Sequence, residues 1–186
     1  MSLLDILNRA LDKLGQKPLV SVAESGPNAA RVRRMWPGCR DAVLREHPWK
    51  CAIKRVKLNE LKDKPVFGFS RRYQLPPDFL RMVAVEPDLA PVEIEGDTLL
   101  SDAEGLALAY VARIENPRLY DAALSEVLSL KLASELAYGT TGSVSLGEQL
   151  RAEYQQKLRE ARGHDAREGA GQVRTPGAWA RAKLGG

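Results

Sequence analysis

NPRLYDAALSEVLSLKLASELAYG, residues Asn116 to Gly139, carries apolar side chains on more than one side of a helix. Leu119, Ala123, Val127 and Leu130 line one side, while Leu124, Leu128, Leu132 and Leu136 line another. A helix at a protein surface needs only one apolar stripe, so a helix apolar over this much of its girdle is buried on several sides. The segment is read as the central helix of a bundle. Asn116-Pro117 supplies the cap and first-turn residue for its start, and Gly139 its stop.

Three further helices are expected around it. The first runs from Leu3 to Leu14, with Ser2 and Asp5 spaced as a capping box and Gly15 just past the end. Its stripe is Leu3, Leu7, Ala10 and Leu14, flanked by Leu4 and Leu11. The second starts in Ser25-Gly26-Pro27-Asn28 and follows the seam Ala29, Val32, Trp36, Cys39 and Val43 to a stop before Pro48. Pro37 lies inside that pattern, where it removes one backbone donor and predicts a kink or an unpaired carbonyl. The last helix is opened by a Ser145-x-x-Glu148 box, buries Leu146, Leu150, Tyr154, Leu158 and Ala161, and ends at Gly163.

Between the second helix and the central one the period changes. Cys51, Ile53, Val56 and Leu58 roughly alternate, Phe67-Gly68-Phe69 precedes Tyr73-Gln74-Leu75-Pro76-Pro77, and Leu80 to Val85 is short and β-forming. Val92 and Ile94 alternate with Glu93 and Glu95 before a Gly96-Asp97 turn, and Leu106 to Ile114 is a last strand-like run. The expected fold is therefore mainly α. A helical bundle (1–49 and 115–164) carries a small inserted antiparallel β region (50–114) and an extended C-terminal arm (165–186). Ten of the arm's 22 residues are Ala or Gly. Such a segment buries too little surface to offset its chain entropy, so another chain is expected to hold it. Trp179, with no local core to join, is expected to anchor there.

At 186 residues and 44% hydrophobic content the chain can bury a core. Cys39 and Cys51 are its only cysteines, with no C-x-x-C spacing, and read as two reduced, packed thiols. No stretch approaches the roughly 20 apolar residues that span a bilayer. Asp5, Asn8 and Arg9 interrupt the first apolar run, against a signal peptide. A soluble protein made in a reducing compartment, with no membrane partner, is expected.

The net charge is only +4, but it is unevenly placed. Arg31 to Lys57 holds nine basic residues against Asp41 and Glu46, whereas Glu86 to Glu104 holds seven acidic residues and no basic one. A chain divided in this way can pair its own patches, pair head-to-tail with copies of itself, or face two partners. Arg31, Arg33 and Arg34 against Glu93, Glu95 and Asp97 are the expected contacts between subunits. The alternative is a small basic DNA-binding protein that grips phosphates with residues 31–57.

Motifs for phosphate-binding loops, dinucleotide folds, zinc proteases and serine hydrolases are absent from the sequence. His47 and His164 sit near ends of different helices, where a structural role suffices. No catalytic residue, metal or cofactor is expected.

Three segments resemble a known family. They are Ala10-Leu11-Asp12-Lys13-Leu14-Gly15 followed by Arg40 to Trp49 (RDAVLREHPW), Tyr73 to Arg81 (YQLPPDFLR), and Tyr110 to Tyr138 with its Asn-Pro break and Leu132-Ala133-Ser134-Glu135-Leu136-Ala137. The likeness continues through Tyr154 and Ala161-Arg162. In this order, over about residues 3–168, they look like podovirus tail tubular protein A and its adaptor relatives. The resemblance implies a non-enzymatic bacteriophage neck protein of the virion, made in the host cytoplasm. It implies a dodecameric ring between the portal protein and the next tail or nozzle component, with genomic DNA passing through the lumen. By position alone it implies that the C-terminal arm docks on the portal, through Trp179 and Leu184 as apolar anchors and Arg174, Arg181 and Lys183 as charged contacts.

Overall fold

The computed structural model describes residues 1–88 and 90–170, and side chains through Arg167. Helix α1 (Leu3–Lys13) opens with the expected reciprocal box: Ser2 Oγ accepts from the Asp5 amide at 3.2 Å, and the Ser2 amide donates to Asp5 Oδ2 at 2.7 Å. Both amides would otherwise lack a partner at the helix start. Ile6, Leu7, Ala10, Leu11 and Leu14 are its buried stripe, with Leu3 and Leu4 half-covered. The chain leaves it through Gly15 at φ +64°, a conformation that strains any residue with a Cβ.

Helix α2 (Pro27–Glu46) buries the whole expected seam of Ala29, Val32, Trp36, Cys39 and Val43. It continues through Pro37, whose exposed ring lies away from that seam. Helix α3 (Ala122–Thr141) packs against α1, α2 and α4 (Val144–Ala170), and its buried residues occupy all sides.

Six strands lie between α2 and α3: β1 (Ile53–Lys57), β2 (Arg71–Gln74), β3 (Phe79–Glu86), β4 (Val92–Glu95), β5 (Thr98–Ser101) and β6 (Ala107–Ala112). They form two antiparallel sheets, β1-β6-β3 and β2-β5-β4. Only β4 and β5 pair as sequence neighbours, across Gly96 at φ +61°. β1 instead meets β6, with Ile53 opposite Val111. β3 meets the other side of β6 with irregularities at Leu80 and Val83, and the extra residue at the second leaves Val83 exposed.

This architecture corrects the expected fold class. Of the described residues 49% are helical and 19% lie in strands, a mixed α/β fold rather than a mainly helical bundle with a small insert. Leu99, Leu108, Tyr110, Val111 and Ala112 of the strands join Leu7, Val43 and Leu128 of the helices in one buried cluster. The strands complete the core because their apolar residues are too few to bury one another and need the helices' faces.

Four helix boundaries also differ from expectation. Asn116 caps only a short 3-10 turn (Pro117–Leu119), whereas α3 is capped by Asp121, whose Oδ1 accepts from the Leu124 amide at 2.7 Å. Gly139 stays inside α3, which ends at Gly142 in the left-handed region (φ +71°). The cap of α4 is Ser143, two residues before the expected Ser145, with its Oγ accepting from the Leu146 amide at 3.2 Å. Finally, α4 passes through Gly163, so residues 165–170 of the expected arm are helical.

Candidate subunit interface

Residues 31, 34, 38 and 45 fall on one side of α2, opposite the buried seam, because a helix repeats every 3.6 residues. Arg34 and Arg45 are exposed there and Arg31 is half-covered. Arg33 is exposed too, yet its Nη1 donates to the Val22 and Glu24 carbonyls at 2.7 and 2.8 Å. That residue clamps the loop before α2 as well as carrying charge.

Further along, Arg40 is 7% exposed. Its Nε donates to Asp41 Oδ1 at 2.8 Å, and its guanidinium lies 3.5 Å from Glu115. Asp41 Oδ2 accepts from Arg113 Nε at 2.8 Å, so α2 is tied to the strand that leads out of the sheet. The C-terminal end of α2 is held by α4. Glu46 accepts from the Tyr154 hydroxyl at 2.6 Å and from Arg162 Nη2 at 2.9 Å. Burial first, and then the Glu46 hydrogen bond, raise the Tyr154 hydroxyl above the ordinary phenol range.

His47 and Asp165 complete this junction. His47 Nε2 lies 2.9 Å from Asp165 Oδ2, and Asp165 Oδ1 accepts from the Lys50 amide at 3.1 Å. The Trp49 indole, 1% exposed, stacks edge-on against His47 and donates to the Val43 carbonyl at 3.0 Å. The resemblance segment Arg40–Trp49 is thus the seam where α2, α4 and the start of the sheet lock together.

The acidic candidates lie on the β4–β5 hairpin. Glu93, Glu95 and Asp97 are all exposed. Glu95 meets Arg72 Nη2 of β2 at 3.3 Å, and Asp97 accepts from Gln74 Nε2 at 3.2 Å. Glu104, at the end of the same acidic run, faces Arg71 at 3.8 Å, and Asp102 accepts from the Ser70 amide and hydroxyl at 2.8 Å. Those Ser70 bonds hold the Asp102 carboxyl below its ordinary range. The acidic run is therefore met in part by Arg71 and Arg72, and Arg31, Arg34 and Glu93 enter none of these ion pairs.

The two cysteines are free, and burial pushes both thiols up to about 11. At neutral pH they are thiols rather than thiolates, and the thiolate is the reactive form. Among the described residues no group of His, Cys, Asp and Glu could hold a metal ion, and no helix is long and apolar enough to cross a membrane. Arg174, Trp179, Arg181, Lys183 and Leu184 lie outside the described residues.

One exposed feature was not singled out from the sequence. Val66 and Phe67, at the tip of the β1–β2 loop, are 97% and 86% exposed. The available signal was their position: an apolar pair between Pro65 and Gly68, behind the charged Lys62-Asp63-Lys64, belongs to a turn and has no strand face to occupy. No protein-family model and no curated protein matches the chain.

Proposed function

We propose that the chain is a structural head-to-tail adaptor of a tailed bacteriophage, non-enzymatic, assembling as a ring that joins the portal to the tail and lets DNA pass. The ordered resemblance over residues 3–168 carries this reading. The division of charge adds support, since half-covered Arg31 and exposed Arg34 on α2 and exposed Glu93 on the β4–β5 hairpin are available to meet neighbouring copies. Within the ring, dodecameric by the resemblance, the helices pack side by side and the arm reaches the portal.

Native mass spectrometry of the purified chain, alone and mixed with portal, tests the reading. A portal-bound ring is expected, and a chain that stays monomeric and ignores portal overturns it. Removing residues 171–186 leaves all four helices in place and is expected to abolish portal binding. Unchanged binding by that truncated chain removes the arm from the proposal.

The rival reading, a DNA-binding protein using residues 31–57, draws on the same arginines. Three of its nine cations are already engaged: Arg40 is buried against Asp41 and Glu115, Lys54 pairs with Asp78 at 2.6 Å, and Arg33 holds two carbonyls. Arg31, Arg34, Arg45, Lys50, Arg55 and Lys57 stand outside these contacts, so the salt slope of duplex binding separates the two readings, and the adaptor predicts a shallow one. A steep slope for the free monomer favours the rival.

A further inference from the structure

The outer surface of sheet β1-β6-β3 carries a hollow of about 360 Å³. Its floor is small because Ala84, Ala107 and Ala109 stand where larger side chains would fill it. Val83, lifted out by the irregularity in β3, forms an apolar wall, while Arg55 and Glu86 stand at the rim. The same chain carries an unburied apolar knob, Val66 and Phe67, on the loop that leaves β1. The hollow is not filled by its own chain's knob, since Val66 and Phe67 remain almost wholly exposed.

We infer that the Val66–Phe67 tip of one copy seats in the alanine-floored hollow of the next. The proposal rests on the ring reading and names the anchor that ring would use. The occupant is a second copy because both halves are present on one chain and carry charges of opposite sign for each other. Exposed Lys62 and Lys64 flank the tip and would meet Glu86, and exposed Asp63 would meet Arg55. Burying a phenylalanine in a desolvated pocket ringed by polar residues is how interface anchors act. Knob and hollow are different surfaces, so the contact is heterologous: each copy gives a knob to one neighbour and receives one from the other. That arrangement closes into a ring when the rotation allows, and a two-fold dimer cannot use it up.

The test replaces Phe67 with photoreactive benzoylphenylalanine in the full chain and irradiates it with an isotopically labelled second copy, first alone and then on portal. Adducts on labelled residues 83–86 or 107–109 are expected. In parallel, a knob variant (Val66→Ser with Phe67→Ser) and a hollow variant (Ala109→Arg) are each expected to weaken assembly about tenfold or more. Circular dichroism confirms that both remain folded. Mixed together, the two variants can form one intact contact per pair, so a capped heterodimer is expected where neither variant assembles alone. A ring that forms with adducts elsewhere, or from either variant as readily as from the wild type, overturns this inference and leaves the ring reading standing. A wild-type chain that stays monomeric with portal overturns both.

Discussion

Helix α3 is shielded around almost its whole girdle, with Leu124, Val127, Leu128, Leu130, Leu132 and Ala133 at 0% exposure, whereas β1 exposes four of its five residues. The helix is held by apolar packing from three neighbouring helices. The strand is held by its ladder with β6 and by polar ties at its margin: Lys54 Nζ lies 2.6 Å from Asp78, which also accepts from the Tyr110 hydroxyl at 2.9 Å. Helices satisfy their backbone locally and need only apolar faces to place them, while short strands depend on bonds to partners far away in the chain. The packing of α3 thus rests mainly on apolar contacts, and the margin of β1 on polar ties that protonation can break.

Leu128→Ala should sharpen that contrast most. Truncating a fully buried leucine in α3 is expected to cost about 2–5 kcal/mol, read from urea unfolding, with little change between pH 7 and pH 3. A loss below about 1 kcal/mol would mean that α3 is not the packing centre. Asp165→Ala comes next. It leaves the Lys50 amide and His47 without their carboxylate partner at a 7% exposed position, for an expected loss of about 1–3 kcal/mol. Amide exchange should then quicken first in the last turns of α4.

Asp78→Asn should cost about 1 kcal/mol at neutral pH. Burial raises the Asp78 carboxyl, but the hydrogen bonds and charge from Lys54 and Tyr110 outweigh burial and hold it below its ordinary value. Its folded form therefore titrates below the unfolded one. The stability it contributes is present above about pH 4 and is lost as pH falls through the lower, folded value. Asn at position 78 should remove that part of the acid sensitivity. Equal acid sensitivity in wild type and variant would break the contrast at β1. The smallest effect is expected from Arg34→Ala, within about 0.5 kcal/mol on stability. In the ring, however, it should weaken assembly, as should rising salt, because exposed charges are screened within about 10 Å at 0.1 M. Salt-insensitive assembly would remove Arg34 from the interface.

Legibility in the sequence followed the same contrast. The α2 seam, the Ser2–Asp5 box and the β4–β5 hairpin were readable because their signals are periodic or span three residues. The missed boundaries had two plausible signals within a few residues. Gly139 and Gly142 both could stop α3, and only Gly142 takes the left-handed conformation. Gly163 could stop α4 and does not. Glycine in a helix interior costs about 1 kcal/mol relative to alanine, and ties such as Arg162 to Glu46 and Asp165 to the Lys50 amide offset it. The candidate interface was legible as charge but only partly as availability: helical periodicity separates Arg34, opposite the seam, from Arg40, beside it, but not the Asp41 and Glu115 carboxylates that Arg40 meets.

From residue order come which faces are apolar, where helices can be capped and that the middle of the chain is extended, because each depends on side chains within about a turn or a strand of one another. The two-sheet topology, the pairing of β1 with β6 more than 50 residues away and the shared α/β core belong to the tertiary structure alone. So do the arginines spent on internal carboxylates and the apolar tip left in water. Each depends on which distant residue arrives as a neighbour, and burial, not local propensity, decides between arrangements that differ by only a few kcal/mol.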